Sequence, residues 1–330
     1  MEIGNNNNID NVSIVIVNYN CWNYTIDCIS SLLKSTYNNF NLFIVDNSST
    51  DNSVLKLKEW SQNQQLSHKV ISAKEQDVHK HLKTNLPLIT IVESKLNNGF
   101  GAGNNIVLKP LTHSLNNSYV WLLNPDTEVE KNVLKDLVSL AKGKKKTIVG
   151  NIIHYYNKRE EVMYCGGFKV KRFIHGVIDI KKEEDIDKLD AIAGASLFTN
   201  INTFKNLGVL PEDYFMYWEE TDFCKHAKNN NYNFIVNTRS KVFDHVGATS
   251  KSNFLREYLY LLNGLKFYKK YYLMYLPIIL ISTLAKYIKA LFVEDKIKQS
   301  AIYFAHIDFF KIVFGKKVNV LKRIQSQKNE

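Results

Sequence analysis

Proline and glycine are scarce in this chain, at 5 and 14 of 330 residues. That scarcity excludes a collagen-like or low-complexity body and any long Pro/Gly linker. Four cysteines (Cys21, Cys28, Cys165 and Cys224) stand apart with no CxxC pair, which argues against both a zinc site and a disulfide framework. The opening Met1-Glu2-Ile3-Gly4 and the run Asn5 to Asn8 lack the charged-then-apolar pattern of a secretory leader, so a reducing, cytoplasmic setting is expected. No internal repeat is visible. What is present is an ordinary globular balance, 45% hydrophobic and 23% charged, in a chain longer than one small domain and shorter than three.

Charge is informative once it is located. The net charge is +11, and from Arg256 onward 14 basic residues face 5 acidic ones, so nearly all of the excess lies in the last 75 residues. There the lysines alternate with apolar stretches such as Leu273 to Ile281 and Ile302 to Phe310. Nucleic-acid arms are rarely so apolar, whereas helices that lie on anionic membranes often are. The reading is a basic helical tail, residues 266–330, held peripherally at a membrane surface, with no nucleic-acid partner. A packed, solvated helical tail is the plainer alternative.

Along the chain, short apolar runs alternate with helical periodicity. Val12 to Val17 reads as a buried strand, followed by a helix with Ile26, Ile29 and Leu33 on one face. Leu42 to Val45 is a second strand, followed by cap chemistry at Ser49 to Asp51 and a helix carrying Val54, Leu57 and Trp60. Residues 61–86 are polar and aperiodic and read as a surface insertion. Leu88 to Val92 and Tyr119 to Leu123 are further strands. This alternation predicts a parallel α/β sheet with right-handed crossovers. Farther on, Phe234 to Val236 and Lys241 to Phe243 read as two short strands, and from Phe254 the pattern is helical to about Gly315 with an interruption at Pro277.

Ligands of such sheets sit beyond the carboxyl ends of the strands. That rule selects four polar loops: Asn18–Asn20, Asp46–Asp51, Asn97–Asn105 and Asn124–Thr127. Asn124-Pro125-Asp126-Thr127 puts a carboxylate just past a buried strand, a place suited to a hard divalent cation. Taken alone it could equally be a Pro-Asp turn. Asn97 to Asn105 reads as a glycine-rich loop leading into a helix start; Gly99, Gly101 and Gly103 let backbone approach a ligand and helix-start amides favour anions, although glycines also serve plain turns. Glu219-Glu220-Thr221-Asp222 packs three carboxylates behind Phe215-Met216-Tyr217-Trp218; crowding and desolvation raise a carboxyl pKa toward that of a general base. Acids at a helix N-terminus also simply complement the dipole. His245, after a short strand, is on its own more often structural than a ligand.

Together these segments resemble the family-2 inverting glycosyltransferases, and among them the rhamnosyltransferase-like members of bacterial polysaccharide assembly. The residues that carry the resemblance are Val12 to Asn20, Val45 to Asp51, Asn97 to Asn105, Leu123 to Thr127, Glu219 to Asp222, and His245. The resemblance runs from about residue 12 to 265 and implies a GT-A fold over residues 11–265, after a disordered segment 1–10. The donor half would end near residue 127, and the acceptor half would span 128–265. It implies a UDP- or dTDP-linked sugar donor and Mg²⁺ or Mn²⁺. Asp46 and Asp51 then resemble the acids that contact base and ribose. Asn18, Asn20, Asn97, Gly99, Asn104 and Asn124 would belong to the donor pocket, with Gly194 at its floor. Asp126 matches the second carboxylate of the family's DxD metal motif, with Asn124 replacing the first, and His245 matches its metal-binding histidine. The family usually has Glu-Asp where this chain has Glu219-Glu220; Glu220 takes the position of the Asp and is the expected base, with Glu219 its alternate.

The implied reaction is inverting transfer of a sugar, with rhamnose a candidate, to a saccharide hydroxyl. A lipid-linked acceptor at the inner face of the cell membrane fits the basic, apolar tail. The rival of a different class is a non-catalytic nucleotide-sugar-binding or membrane scaffold protein with a decayed site. Against it, Asp126, Glu220 and His245 are all present. A nucleotidyltransferase would want a glycine-rich, lysine-bearing loop after the first strand, and Asn18-Tyr19-Asn20-Cys21 is not one.

Overall fold

The computed structural model describes residues 10–113, 118–245, 253–320 and 322–323. In chain order its elements are β1 (Val12–Asn18), α1 (Trp22–Leu32), β2 (Phe40–Asp46), α2 (Ser53–Asn63), β3 (His68–Ser72), α3 (Glu75–Leu82), β4 (Ile89–Glu93), α4 (Gly99–Thr112), β5 (Tyr119–Leu123), β6 (Thr127–Val129) and α5 (Val133–Ala141). They continue with β7 (Thr147–Tyr155), β8 (Lys158–Cys165), β9 (Gly167–Val170), β10 (Val177–Asp179), β11 (Ala191–Ile192), β12 (Ser196–Asn200), α6 (Ile201–Leu207), α7 (Glu219–Asn229) and β13 (Asn233–Asp244). Three long helices close the described chain: α8 (Asn253–Tyr271), α9 (Leu276–Phe292) and α10 (Lys296–Val313).

The main sheet runs β3-β4-β2-β1-β5-β12-β7-β13-β6, with β8 paired to β7. Its first five strands are mutually parallel, and β12 enters antiparallel beside β5. A parallel strand covered by helices on both faces must be apolar throughout, which is why β1 and β5 are buried along their whole length. Two cores follow, one on each face. Ile14, Ile29, Leu42 and Trp121 pack on one, Val15, Phe43, Leu108 and Leu197 on the other. A third core lies among the C-terminal helices around Trp218, Tyr258, Leu262, Tyr268 and Phe309.

Three sequence expectations are corrected. Residues 61–86 are not a structureless insertion: they end α2 and form edge strand β3 and helix α3, because Val78 and His81 supply a small buried face. The two short strands at 234–243 are one strand, β13, whose pairing with β7 shifts register between Asn237 and Val242. Pro277 does not interrupt a helix. It occupies the first turn of α9, where a missing N–H costs nothing, and the break falls at Tyr272 to Tyr275. The cap chemistry expected of Ser49–Asp51 is present: Asn52 holds the cap position of α2 without a side-chain cap bond, and Asp51 Oδ1 accepts from the Ser53 amide at 2.9 Å. The expected boundary at 265/266 falls inside α8. Of the segment 1–10 expected to be disordered, residues 1–9 lie outside the described residues, and the Asp10 carbonyl accepts from the Tyr37 hydroxyl.

Candidate functional site

The carboxyl ends of β1 and β5 open onto a cavity of about 310 Å³. One wall is Asn97, Gly99 and Phe100 at the start of α4, another is Asn124-Pro125 after β5, and a third is Ala193-Gly194-Ala195 before β12. Tyr217, Glu219 and Glu220 face them from the start of α7, and Tyr164 and Phe168 add aromatic surface. Five of the sequence-selected residues are therefore brought together with Gly194: Asn97, Gly99, Asn124, Glu219 and Glu220.

Of the expected loop Asn97–Asn105, the part from Gly99 onward is already helix α4, whose end is built by side-chain capping. Asn97 Oδ1 accepts from the Gly99 amide and from Asn47 Nδ2, both at 3.0 Å, and Asn47 Nδ2 also donates to the Gly99 carbonyl at 3.0 Å. Gly99 has φ +89°, and a Cβ there would stand 1.8 Å from the Phe215 carbonyl oxygen, so no other residue fits. The Phe100 amide donates to that same oxygen at 2.7 Å. Two of the first helix amides are thus occupied internally, and what α4 offers an anion is chiefly its dipole. At Gly194 a Cβ would lie 3.3 Å from the Phe100 ring and 3.6 Å from Glu220 Cβ, so the small residue keeps the cavity open.

The segment before α7 is strained. Phe215, Tyr217 and Trp218 have φ of +63°, +68° and +77°, a region costly for bulky L-residues. Asn263 of α8 holds it: Nδ2 donates to the carbonyls of Tyr214 at 2.6 Å, Met216 at 2.8 Å and Tyr217 at 3.3 Å. Trp218 Nε1 donates to the Tyr260 carbonyl at 2.9 Å. Buried Asp222 receives the Tyr214 hydroxyl at 2.7 Å, the Tyr271 hydroxyl at 2.7 Å and Lys270 Nζ at 2.8 Å. These contacts fix the direction of the two glutamates. Burial pushes the Glu220 carboxyl up to about 7. Burial first, and then the Glu220 charge beside it, hold Glu219 well above the usual carboxylate range.

Asn18, Asn20, Asp46, Asp51, Asn104, Asp126 and His245 are not among the residues that line this cavity. Asn18 is fully buried, with Nδ2 donating to Asp46 Oδ1 at 2.8 Å and Oδ1 accepting from Thr25 at 2.8 Å. Asp46 also accepts from the amide and hydroxyl of Ser49 at 3.0 and 2.6 Å. Asn20 Oδ1 accepts from the Thr50 amide at 2.7 Å, which pins the β2–α2 loop. Asp46 and Asp51 line a second depression at the ends of β2, β3 and β4. Asn104 is buried within α4, its Nδ2 donating to the Phe100 carbonyl at 3.0 Å, and lies outside the cavity wall.

Asp126 is buried past β5, and its carbonyl accepts from the His245 amide at 3.0 Å. The His245 ring stacks on Tyr156 with centroids 3.6 Å apart, and its Nε2 stands 3.3 Å from Glu128 Oε1. Among the described residues no group of three or more His, Cys, Asp or Glu side chains is arranged to hold a metal ion. A closed protein cage is therefore not the fit. One or two carboxylates completed by a substrate's phosphate oxygens is the arrangement Mg²⁺ and Mn²⁺ accept, and Asp126 suits it.

Sequence reasoning did not single out Asn47, Tyr164, Phe168 or Asn263. Asn47 sits beside Asp46 in a loop already selected and was findable. The other three reach the site only through tertiary folding.

The glycosyl transferase family 2 profile matches residues 13–199, more than half of the chain. This chain belongs to that family. It is 26% identical over 230 residues, 68% of its length, to the low-salt glycan biosynthesis hexosyltransferase Agl10 of Haloferax volcanii, of whose length it spans 64%. A shorter likeness, 43% over 42 residues, links 13% of the chain to 14% of glycosyltransferase GlyG of Streptococcus pneumoniae. Among solved structures, the mannosyltransferase PcManGT of Pyrobaculum calidifontis, in complex with GDP-Man and Mn²⁺, superposes with a TM-score of 0.56 at 12% identity, over 94% of this chain and 89% of that one. GalNAc-T7 with UDP, GalNAc and Mn²⁺ superposes with a TM-score of 0.59 at 14% identity, over 80% of this chain and 48% of that one. The fold is GT-A: a mostly parallel central sheet flanked by helices, followed here by C-terminal helices.

Proposed function

We propose that this chain is an inverting hexosyltransferase that moves a sugar, rhamnose among the candidates, from a UDP- or dTDP-linked donor to a saccharide hydroxyl. The observation that carries this reading is the paired glutamates at the strained start of α7, facing Asn97, Gly99 and Asn124 across one cavity at the carboxyl ends of the parallel strands. Glu220, as carboxylate, takes the proton of the acceptor hydroxyl while that oxygen bonds to the anomeric carbon from the face opposite the diphosphate. The bond from the anomeric carbon to the diphosphate oxygen breaks in the same step, the electron pair leaves with the nucleoside diphosphate, and the configuration inverts. Asp46 and Asp51 hold base and ribose in the adjoining depression, with Asn18 and Asn20 fixing that loop; the α4 dipole, Asn97 and Gly99 face the diphosphate.

Asp126, with His245 beside it, would hold Mg²⁺ or Mn²⁺, which when bound offsets charge on the diphosphate. The acceptor is a lipid-linked saccharide of cell-surface polysaccharide assembly, and the enzyme works from the cytoplasmic face of the membrane, attached peripherally through its basic C-terminal helices. The Leu273–Phe292 stretch is long and apolar enough to cross a bilayer. It carries Lys286 and Lys289, however, and an ammonium near the bilayer centre costs about 3 kcal/mol or more.

A panel of nucleotide sugars tested for thermal stabilisation with Mn²⁺ present identifies the donor, because a ligand that binds only the folded state raises its melting temperature by mass action. The reading expects one UDP- or dTDP-sugar to stabilise strongly and to be turned over with inversion. If no nucleotide sugar in the panel stabilises or reacts, the reading fails.

A further inference from the structure

The β9–β10 hairpin has its two ends in different surroundings. At its base, Phe168 lies in the cavity wall. At its tip, Phe173 and Ile174 are 56% and 52% exposed, next to the exposed Arg172. The tip is fastened to the C-terminal helices. Phe173 packs edge-on against Tyr275 with centroids 5.2 Å apart, the His175 amide donates to Ser282 Oγ at 3.1 Å, and Lys286 Nζ donates to the His175 carbonyl at 3.0 Å.

That attachment sets the tip beside a broad apolar face. On α9, Ile279, Thr283 and Ala290 are buried, whereas Ile278, Ile281, Leu284, Ile288 and Leu291 are exposed. At 100° per residue the exposed set occupies the side opposite the buried set, with Ile278 nearest the hairpin. The preceding turn adds Leu273 and Met274, exposed by 64% and 90%. Exposed apolar patches of this kind mark interaction surfaces. The cations alongside (Arg172, Lys286 and Lys289) and the excess of basic residues after Arg256 select an anionic occupant.

We propose that the hairpin tip inserts into an anionic lipid surface together with the start of α9, so that one short strand connects the membrane to the cavity. From Phe168 to Phe173 an extended chain spans at most about 17 Å, the scale of an acceptor's first sugars above its lipid. Delivery of a lipid-linked acceptor along this strand rests on the transferase reading; insertion of the tip does not.

The four native cysteines are all buried, so a single Ile174→Cys accepts an environment-sensitive NBD dye selectively in the folded full-length chain. Vesicles of phosphatidylcholine with about a third phosphatidylglycerol should blue-shift and brighten the dye, and pure phosphatidylcholine vesicles should do so far less. Phe173→Glu/Ile174→Glu should weaken co-sedimentation with the anionic vesicles about ten-fold or more, with nucleotide binding and melting temperature unchanged. Co-sedimentation without a dye response overturns the proposal and leaves attachment to α9 and α10 alone. A dye response without vesicles that tracks dimerisation in the ultracentrifuge assigns the face to a second copy and likewise overturns it. Loss of activity toward every donor with insertion intact would count against the transferase reading only.

Discussion

Replacing Glu220 by Gln should remove turnover and stabilise the protein at the same time. The carboxyl is ordinarily protonated below about 4.5 and in the fold is pushed up to about 7 by burial. Between those values the unfolded chain has released the proton and the folded chain still holds it, so stability falls as pH rises through that window and the loss is complete above about 7. At 1.36 kcal/mol per unit the loss amounts to about 3 kcal/mol at most, or about 4 °C in melting temperature for a chain of this size. Glutamine is nearly isosteric and cannot ionise. The variant should match the wild type near pH 4.5 and exceed it at pH 8. Turnover should fall about 10²–10⁴-fold with donor affinity unchanged, and wild-type turnover should rise with pH up to about 7 as the base ionises. Urea unfolding at pH 4.5, 6, 7 and 8, with turnover and calorimetric donor titration at each pH, provides the test. Glu219→Gln is the control: if it alone is inactive, the base moves by one residue. Full turnover in both variants, or stability curves that stay parallel from pH 4.5 to 8, refutes the reasoning.

Asp126→Asn should abolish the Mn²⁺ dependence of nucleoside diphosphate binding in calorimetry while leaving far-UV circular dichroism unchanged. Asn263→Leu removes the donor shared by three carbonyls, and leaving those groups buried should cost about 2–4 kcal/mol in urea unfolding; at temperatures where the variant is folded, kcat should fall more than KM rises, because the glutamates lose their direction. Gly99→Ala should be inactive or unfolded, since its Cβ would meet the Phe215 carbonyl at 1.8 Å, whereas Gly143→Ala, with nothing within 4 Å of its Cβ, should cost only about 1 kcal/mol and keep full turnover.

The parallel half of the sheet was readable because each of its strands is buried on both faces, which writes a continuous apolar run into the sequence: Val12–Val17, Leu42–Val45, Tyr119–Leu123. The loops beyond those runs were readable for the converse reason, since a carboxamide or carboxylate placed there is not needed to close a turn. Edge strand β3 was missed because only one of its sides packs and its residues look like loop. The clamp by Asn263 was invisible. It joins positions 49 to 46 residues apart, and nothing about an asparagine in a helical pattern reports which carbonyls it will meet. A raised carboxyl pKa in the Glu219–Asp222 cluster was readable from its crowding behind four bulky residues; that burial dominates for both glutamates was not, since it depends on the tertiary walls of the cavity.

The fastening of Asp222 to Lys270 and Tyr271, together with the hold of Asn263 on the 214–217 backbone, bears on how this chain can be recombined with its relatives. The segment matched by the family profile ends at residue 199, and the helices after residue 253 look like an exchangeable cassette. They are not exchangeable on their own. A chimera joined near 266 would bring in foreign partners for Asp222 and strand a buried carboxylate, a defect that typically costs about 3–5 kcal/mol. A better seam is the exposed Gly208, at φ +83° with nothing within 4 Å of a Cβ built on it. A graft from there to the C-terminus carries the glutamates, the strained turn and their clamp as one unit. Across that joint the graft must still match the pairing of β13 with β7 and β6, the Phe100 amide on the Phe215 carbonyl, the bonds of Asn105 to Leu210 and Glu212, and the bonds of the β9–β10 hairpin to α8 and α9. In this chain the two glutamates and the C-terminal helices are one packed unit, and neither can be exchanged without the other.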